Sequence, residues 1–365
     1  MYLLLNIGLI AICYLYMKIE PRIRENQRKY VILILIAVAS ILFAYRPEDT
    51  KDTAGYINAF EQVGNFSGLR FSFLQKYQGY EYGYIYLMKM FRLFSDNYRF
   101  FFWIISFIGL GLAIYSLCVL ANKCWNVEVK RILGGSVLTF YIANFGFLYN
   151  GISVRAGLTL GLGLLAIVCL INKKYIRGVL LFVIAFSIQR TSVLFVAIYL
   201  VIKFMPALKQ KAHLVLWAIS GAMLFSGFGN WGFTYIGALL DSFFTRYSIS
   251  GYSAFLQTLD TSIGLRDVYM WLLYGFLVVI SDNRKYIQKY LNVVMIGVLV
   301  IVFLHGVRAI ARVYDMFFLF SIPLMASYYY RLGNHKQNVF YKYKDVGIAA
   351  LVCMNAILML RLSFY

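Results

Sequence analysis

RFFFWIISFIGLGLAIYSLCVLA, residues 99–121, carries one charge, Arg99, at its first position. A helix rises about 1.5 Å per residue, so about 20 apolar residues cross a hydrocarbon layer roughly 30 Å thick. Residues 131–149, 153–171, 212–229, 290–304 and 346–360 read the same way, almost free of charge. Across the chain 62% of residues are hydrophobic and 14% charged, with mean hydropathy +0.72. Soluble domains carry roughly 25% charged residues. So many apolar blocks, with almost no amphipathic helices between them, leave no soluble architecture to hold them. Barrel strands alternate in polarity, and these runs do not. The class predicted is an all-α polytopic membrane protein, one membrane domain over residues 1–365.

The polar stretches locate the rest. Lys18, Arg22, Arg24, Arg28 and Lys29 form the densest basic cluster. The positive-inside rule puts it in the cytoplasm and the N-terminus outside. Segment 2–17 lacks a basic leader and a small-residue cleavage site, so it is read as a helix. About 12 crossings follow: 2–17, 30–45, 99–121, 131–149, 153–171, 176–189, 191–204, 212–229, 267–281, 290–307, 309–330 and 346–361. Residues 81–94 are too short to cross and read as a half-helix within an external loop, 46–98. A second external loop covers 241–266. The pair 176–189 and 191–204, hinged at Gln189 and Arg190, reads as a bent or re-entrant hairpin. Cys13, Cys118, Cys124, Cys169 and Cys353 show no metal-ligand or redox spacing and read as small packing residues.

Sorting the 35 basic residues along this path separates lysine from arginine. Only Lys51, Lys76 and Lys89 fall outside. The external arginines are Arg46, Arg70, Arg92, Arg99, Arg155, Arg190, Arg246, Arg266, Arg308, Arg312 and Arg361. Lysine follows the topology rule and arginine does not. Arginine suits bidentate contact with phosphate or carboxylate, and a charge inside an apolar segment is usually functional. Snorkelling to headgroups or pairing with external acids is the plainer account. The sharper one is an outward-facing cavity for an anionic, phosphorylated ligand.

Five constellations carry the candidate chemistry. Arg46-Pro-Glu-Asp-Thr-Lys-Asp-Thr-Ala-Gly-Tyr56 sets an arginine beside Glu48, Asp49 and Asp52. A carboxylate there is a general base toward a hydroxyl, or Asp52 simply caps a helix over 54–63. Tyr80-Glu81-Tyr82-Gly83-Tyr84 opens the half-helix; Glu81 is a site carboxylate or a dipole partner, and the tyrosines stack on sugars or form an interfacial belt. Asn150-Gly-Ile-Ser-Val-Arg155 offers a helix N-terminus with an arginine, a phosphate seat. Gln189-Arg190-Thr191-Ser192 puts four polar side chains inside an apolar hairpin: a cavity tip, or an ordinary turn. His305, Arg308, Arg312 and Asp315 fall on one stripe if 305–330 is one helix, with Tyr314 beside them. Asp315 is a site group there or a neutraliser of Arg312. Walker, GxSxG and HExxH signatures are missing, so no metal or other cofactor is called for.

In this order the elements resemble the EpsG family, bacterial Wzy-type surface-polysaccharide (O-antigen) polymerases. The matching residues are Arg46…Asp52-Thr53-Ala-Gly-Tyr56…Phe60, Glu81-Tyr-Gly83-Tyr84, Val154-Arg155-Ala-Gly-Leu158, Gln189-Arg-Thr191 and Arg312-Val-Tyr314. One position departs: the family's hairpin histidine is Gln189, which hydrogen-bonds but takes no proton at neutral pH. The resemblance implies a GT-C-like glycosyltransferase of the bacterial inner membrane, working on its outer, periplasmic face. Its substrates would be undecaprenyl-pyrophosphate-linked oligosaccharides, and its protein partner a chain-length regulator in the same membrane. Membrane lipids surround it, and nucleic acid has no part. Asp52 or Glu81 would be the base. Arg46, Arg155, Gln189, Arg190, Arg308, Arg312 and Tyr314 would hold the pyrophosphate-bearing substrate, with Tyr56, His305 and Asp315 in support. A flippase would spread polar residues over both membrane halves, whereas here they crowd one side. A ligase-type transferase would show a histidine in its large outer loop, and 241–266 has none. A membrane acyltransferase would rest on His305.

Overall fold

A computed structural model describes residues 2–49, 52–65, 79–125, 134–228, 263–304 and 311–334, with 347–350, 352–354 and 357 near the C-terminus. Among these, every regular element is helical. Five helices are long and apolar enough to cross a membrane: Leu4–Arg22, Glu25–Ala44, Tyr98–Cys124, Val154–Ile171 and Lys285–Leu304. The apolar helix Tyr175–Ile188 is shorter. The chain divides into two compact units, Met1–Tyr199 with Met325–Tyr365, and Leu200–Leu324.

The first unit holds α1 (Tyr2–Ile19), α2 (Glu25–Ala44), α3 (Thr53–Asn65), α4 (Tyr82–Arg92), α5 (Tyr98–Trp125), α6 (Gly134–Tyr141), α7 (Val154–Ile171) and α8 (Tyr175–Ile188), and the start of α9 (Val193–Phe204). Lipid gives apolar helices no hydrophobic reason to associate, so close packing through small residues must do it. Gly157-Leu-Thr-Leu-Gly161 on α7 supplies such a face. A Cβ on Gly109 of α5 would lie 2.9 Å from the Gly157 carbonyl oxygen, and one on Gly161 would meet the Gly109 carbonyl. The two backbones therefore touch, and α7 is pinned along α5 close to its N-terminus.

At that end the packing is aromatic. Tyr56, Phe60, Tyr80, Tyr84, Phe101, Phe102, Val154 and Ile188 form one buried cluster. It joins α3 and the short α4 to the N-termini of α5 and α7 and the C-terminus of α8. Phe60 and Phe101 stack with centroids 5.1 Å apart. The expected half-helix is therefore a helix of 11 residues folded onto the bundle end. At the other end of α2, buried Glu20 accepts from the Gly135 N–H at 2.9 Å, at the start of α6.

Between α6 and α7 the chain winds wider, as a π-helix over Ile142–Ile152. A five-residue bond, Ser153 N–H to the Leu148 carbonyl at 2.9 Å, closes it. The expectation of a plain helix over 131–149 did not include this; residues 131–133 lie outside the described ones.

The second unit holds the rest of α9, then α10 (Gln210–Phe225), α11 (Leu265–Ile280), α12 (Lys285–Leu304), α13 (Ala311–Phe318) and the start of α14 (Ser321–Asn334). Trp217 and Trp271 stack at 4.9 Å, and each indole donates to the other residue's carbonyl, at 3.2 and 3.1 Å. Each ring covers a glycine on the opposite helix, Gly275 and Gly221. The single crossing expected over 309–330 is, within the described residues, broken after Phe318. Pro323 has no N–H for the Leu319 carbonyl four residues back, and its ring would clash with it. That carbonyl accepts from the Ile322 N–H at 3.2 Å instead. His305 and Arg308 lie outside the described residues, as does most of the 241–266 loop.

Candidate functional site

Arg46 follows α2 and is 3% exposed. Its Nε donates to Thr53 Oγ1 at 2.6 Å and its Nη1 to the Phe43 carbonyl at 3.3 Å. The guanidinium lies over the Phe102 ring, 4.5 Å from the centroid. Burial pulls its pKa down, and the Tyr2, Tyr56 and Tyr84 hydroxyls and the Asp52 carboxylate oppose that pull. Nη2 has no hydrogen-bond partner among the described residues. Leaving a buried donor unmet costs about 1–3 kcal/mol, more for a charged group.

Asp52 begins α3, and its carbonyl accepts the first helical bond, from Tyr56 N–H at 3.2 Å. It occupies the cap position that was one reading of it. Its backbone is left-handed, φ 65°, a conformation that aspartate tolerates better than most residues but that carries strain. The carboxylate is exposed and accepts from Ser153 Oγ at 3.4 Å. Ser153 is the residue before α7, and its hydroxyl bonds Asp52 rather than capping its own helix.

Glu81 also stands at a helix start, with no cap bond to its own helix. Its two oxygens reach outward. Oε2 takes Arg155 Nη1 in an ion pair whose side chains are 16% and 15% exposed. Oε1 takes the Arg190 backbone N–H at 3.1 Å. One carboxylate thus ties α4 to the start of α7 and to the break between α8 and α9. Gly83 permits this: a Cβ there would lie 2.6 Å from the backbone of Ser187 on α8. Arg155 also sits over the Tyr80 ring at 5.0 Å and near the Tyr84 ring at 6.0 Å. Burial pushes the Tyr80 phenol up, so it stays protonated.

Several buried polar atoms around these residues have no hydrogen-bond partner among the described residues: Arg46 Nη2, Arg155 Nε, Asn150 Nδ2, the Tyr84 hydroxyl, Gln189 Oε1, Thr191 Oγ1 and Ser192 Oγ. Asn150 is oriented by the Tyr141 hydroxyl, which donates to its Oδ1 at 2.9 Å. The predicted residues Arg46, Asp52, Tyr56, Glu81, Arg155, Gln189 and Arg190 therefore fall in one unit. Their elements, α2, α3, α4, α7 and α8, meet at one bundle end. Arg190 brings its backbone N–H; its side chain is exposed.

The other predicted residues fall in the second unit. Asp315 makes an ion pair with Arg266 Nη2, across 49 residues of sequence. Asp315 is fully buried. Tyr314 donates to Asp267 Oδ1 at 3.1 Å, and Asp267 Oδ2 accepts from the Gly264 N–H at 3.1 Å, reaching back over the start of α11. Arg266 lies over the Tyr314 ring at 5.5 Å. Arg312, on the same short helix, is half-buried. Asp267 was missed as a site residue. Its signal is an acid in the first turn of a helix opening an apolar run, where it meets the positive end of the helix dipole.

Compared with known proteins, the chain matches the family model described as the EpsG family over residues 3–363. No curated protein and no solved structure matches it. The chain belongs to the EpsG family.

Proposed function

We propose that this EpsG-family membrane protein is a lipid-linked polysaccharide polymerase, a glycosyltransferase joining undecaprenyl-pyrophosphate-linked repeat units. Family membership supports a role in polysaccharide biosynthesis. The observation that carries the finer reading is the pair Arg46 and Arg155, each with a buried guanidinium nitrogen that no described protein group meets. They share a bundle end with an exposed carboxylate, Asp52.

In the reaction, an acceptor hydroxyl attacks the anomeric carbon of the donor's first sugar. The bond from that carbon to the pyrophosphate oxygen breaks, and lipid pyrophosphate leaves with the bonding electrons. Charge grows on the leaving oxygen, and preorganised donors aimed there lower the barrier. Arg155 Nε and Arg46 Nη2 are the groups fitted to that task. The hydroxyl proton goes to Asp52, whose side chain is the more open of the two carboxylates. Glu81 has both oxygens engaged by cationic or amide donors, and it positions Arg155 and the hairpin. On this reading the chain makes about 12 crossings in a GT-C-like arrangement. The site opens to the periplasmic side of the inner membrane, with a chain-length regulator as neighbour. The polar residues crowd one end of the first unit, which favours a transferase over a flippase.

The test is a gene deletion followed by electrophoresis of the surface polysaccharide. Loss of a polymerase leaves single-repeat material on the lipid core; loss of a flippase or ligase leaves none. Complementation with Asp52→Asn should leave mostly single repeats, with elongation slowed about 10²–10⁴-fold. Normal chain length from that variant removes Asp52 as the base.

A further inference from the structure

The break between α8 and α9 holds unmet oxygens. Gln189 Oε1 and Ser192 Oγ are buried in residues 5% and 1% exposed, and neither has a hydrogen-bond partner among the described residues. Gln189 is extended, φ −155° and ψ 122°, which ends α8. Its main chain is satisfied: its N–H donates to the Ala185 carbonyl at 2.9 Å, and its carbonyl accepts from Ser192 N–H at 3.1 Å. Its side-chain oxygen is buried and left over. The next amide, Arg190 N–H, is bound to Glu81, and Glu81 holds Arg155. The unmet carbonyl is therefore one residue from the carboxylate that seats the phosphate-directed arginine.

An amide carbonyl only accepts hydrogen bonds. It repels a phosphate oxygen and matches an O–H or N–H. A hydrogen-bond acceptor built into a site discriminates strongly against ligands that lack the matching donor. We infer that Gln189 is a specificity-determining residue that accepts a hydrogen bond from a hydroxyl or amide N–H of the sugar joined to the pyrophosphate. The inference rests on the reading that this site takes lipid-linked sugars. It divides that site: guanidinium nitrogens face the phosphate, and the hairpin oxygens face the sugar.

The full-length protein in detergent is assayed with two probes. One is the single-repeat lipid-linked oligosaccharide extracted from the deletion strain; the other is undecaprenyl pyrophosphate without sugar. Direct binding of both is measured alongside elongation. Gln189→Met keeps length and removes the acceptor. It should weaken binding of the sugar-bearing lipid and raise its KM, each roughly tenfold. Its affinity for the sugar-free lipid should stay at the wild-type value. Gln189→Glu keeps an acceptor oxygen and should retain the wild-type preference for the sugar-bearing lipid. Gln189→Asn, one methylene short, should lose it, and it carries the test should Gln189→Met not fold. Wild-type preference in Gln189→Met or Gln189→Asn overturns the inference, as does a parallel loss for both lipids. A protein that binds the sugar-bearing lipid through Gln189 but never elongates it overturns the polymerase reading and leaves this one standing.

Discussion

In the first unit, Arg46 is buried and Arg155 half-buried against aromatic rings, and each keeps a nitrogen that no described protein group meets. In the second, buried carboxylates meet matched donors: Arg266 on Asp315, Tyr314 and the Gly264 N–H on Asp267. Both clusters use arginine, acid and tyrosine. They differ in how much is left after internal pairing: among the described residues several buried polar atoms around the first are unmet, and of the second cluster's own groups only Arg266 Nε is. A cluster with few spare groups holds helices together. A cluster with several spare donors can bind something charged. The arginine count alone would have rated the two alike.

The largest effect should come from the second unit and should be on stability. Asp315→Ala leaves Arg266 buried without its carboxylate, which costs about 3–5 kcal/mol. Thermal unfolding in detergent should show a clear loss, and little folded protein should be extracted. Wild-type melting would mean that the cluster does not hold the unit. Next comes the first unit, where the effect should fall on activity. Arg155→Lys keeps the charge but loses the planar fork. Elongation should slow about 10²–10³-fold with the melting temperature nearly unchanged. If Arg155→Lys melts early and elongates normally, the contrast between the clusters is reversed.

How much of this could be read before the structure follows from the range of each interaction. Helix existence depends on runs of apolar residues, so the helices over 98–125, 154–171 and 265–280 lie within a few residues of expectation. That Arg46, Glu81, Arg155 and Arg190 belong to elements meeting at one end was also legible, because alternating crossings assign each to the same side. Individual partners were not. Arg155 meets Glu81 across 74 residues and Arg266 meets Asp315 across 49, and nothing local selects those pairs. The break before Ser321 was legible in principle from Pro323, but a long apolar run hides a proline that stops it. The wide π turn over 142–152 has no sequence pattern of comparable strength.

Smaller effects test how the first cluster is assembled. Gly83→Ala puts a methyl 2.6 Å from the backbone of Ser187, so α4 must move off α8. About 1–3 kcal/mol of stability should be lost, and elongation should fall as Glu81 leaves the Arg190 amide. Because part of the clash is with backbone, Ser187→Gly should not rescue it. The smallest effect should belong to Glu48, which lies outside the ring of unmet donors. It accepts from Tyr98 and from Arg99, the latter at 3.1 Å, and both hold its carboxyl below the usual range. A depressed carboxyl stabilises the fold above the ordinary carboxylate pKa, and that stabilisation fades as pH falls through the folded value. Wild type should therefore melt slightly above Glu48→Gln at neutral pH, and the two should converge in acid. Salt should shrink the gap at neutral pH, since this pair sits in solvent. Chain length at neutral pH should be the same in both. A Glu48→Gln variant that shortens the polymer would enlarge the functional cluster to include this exposed pair, and the boundary between binding and holding would move outward.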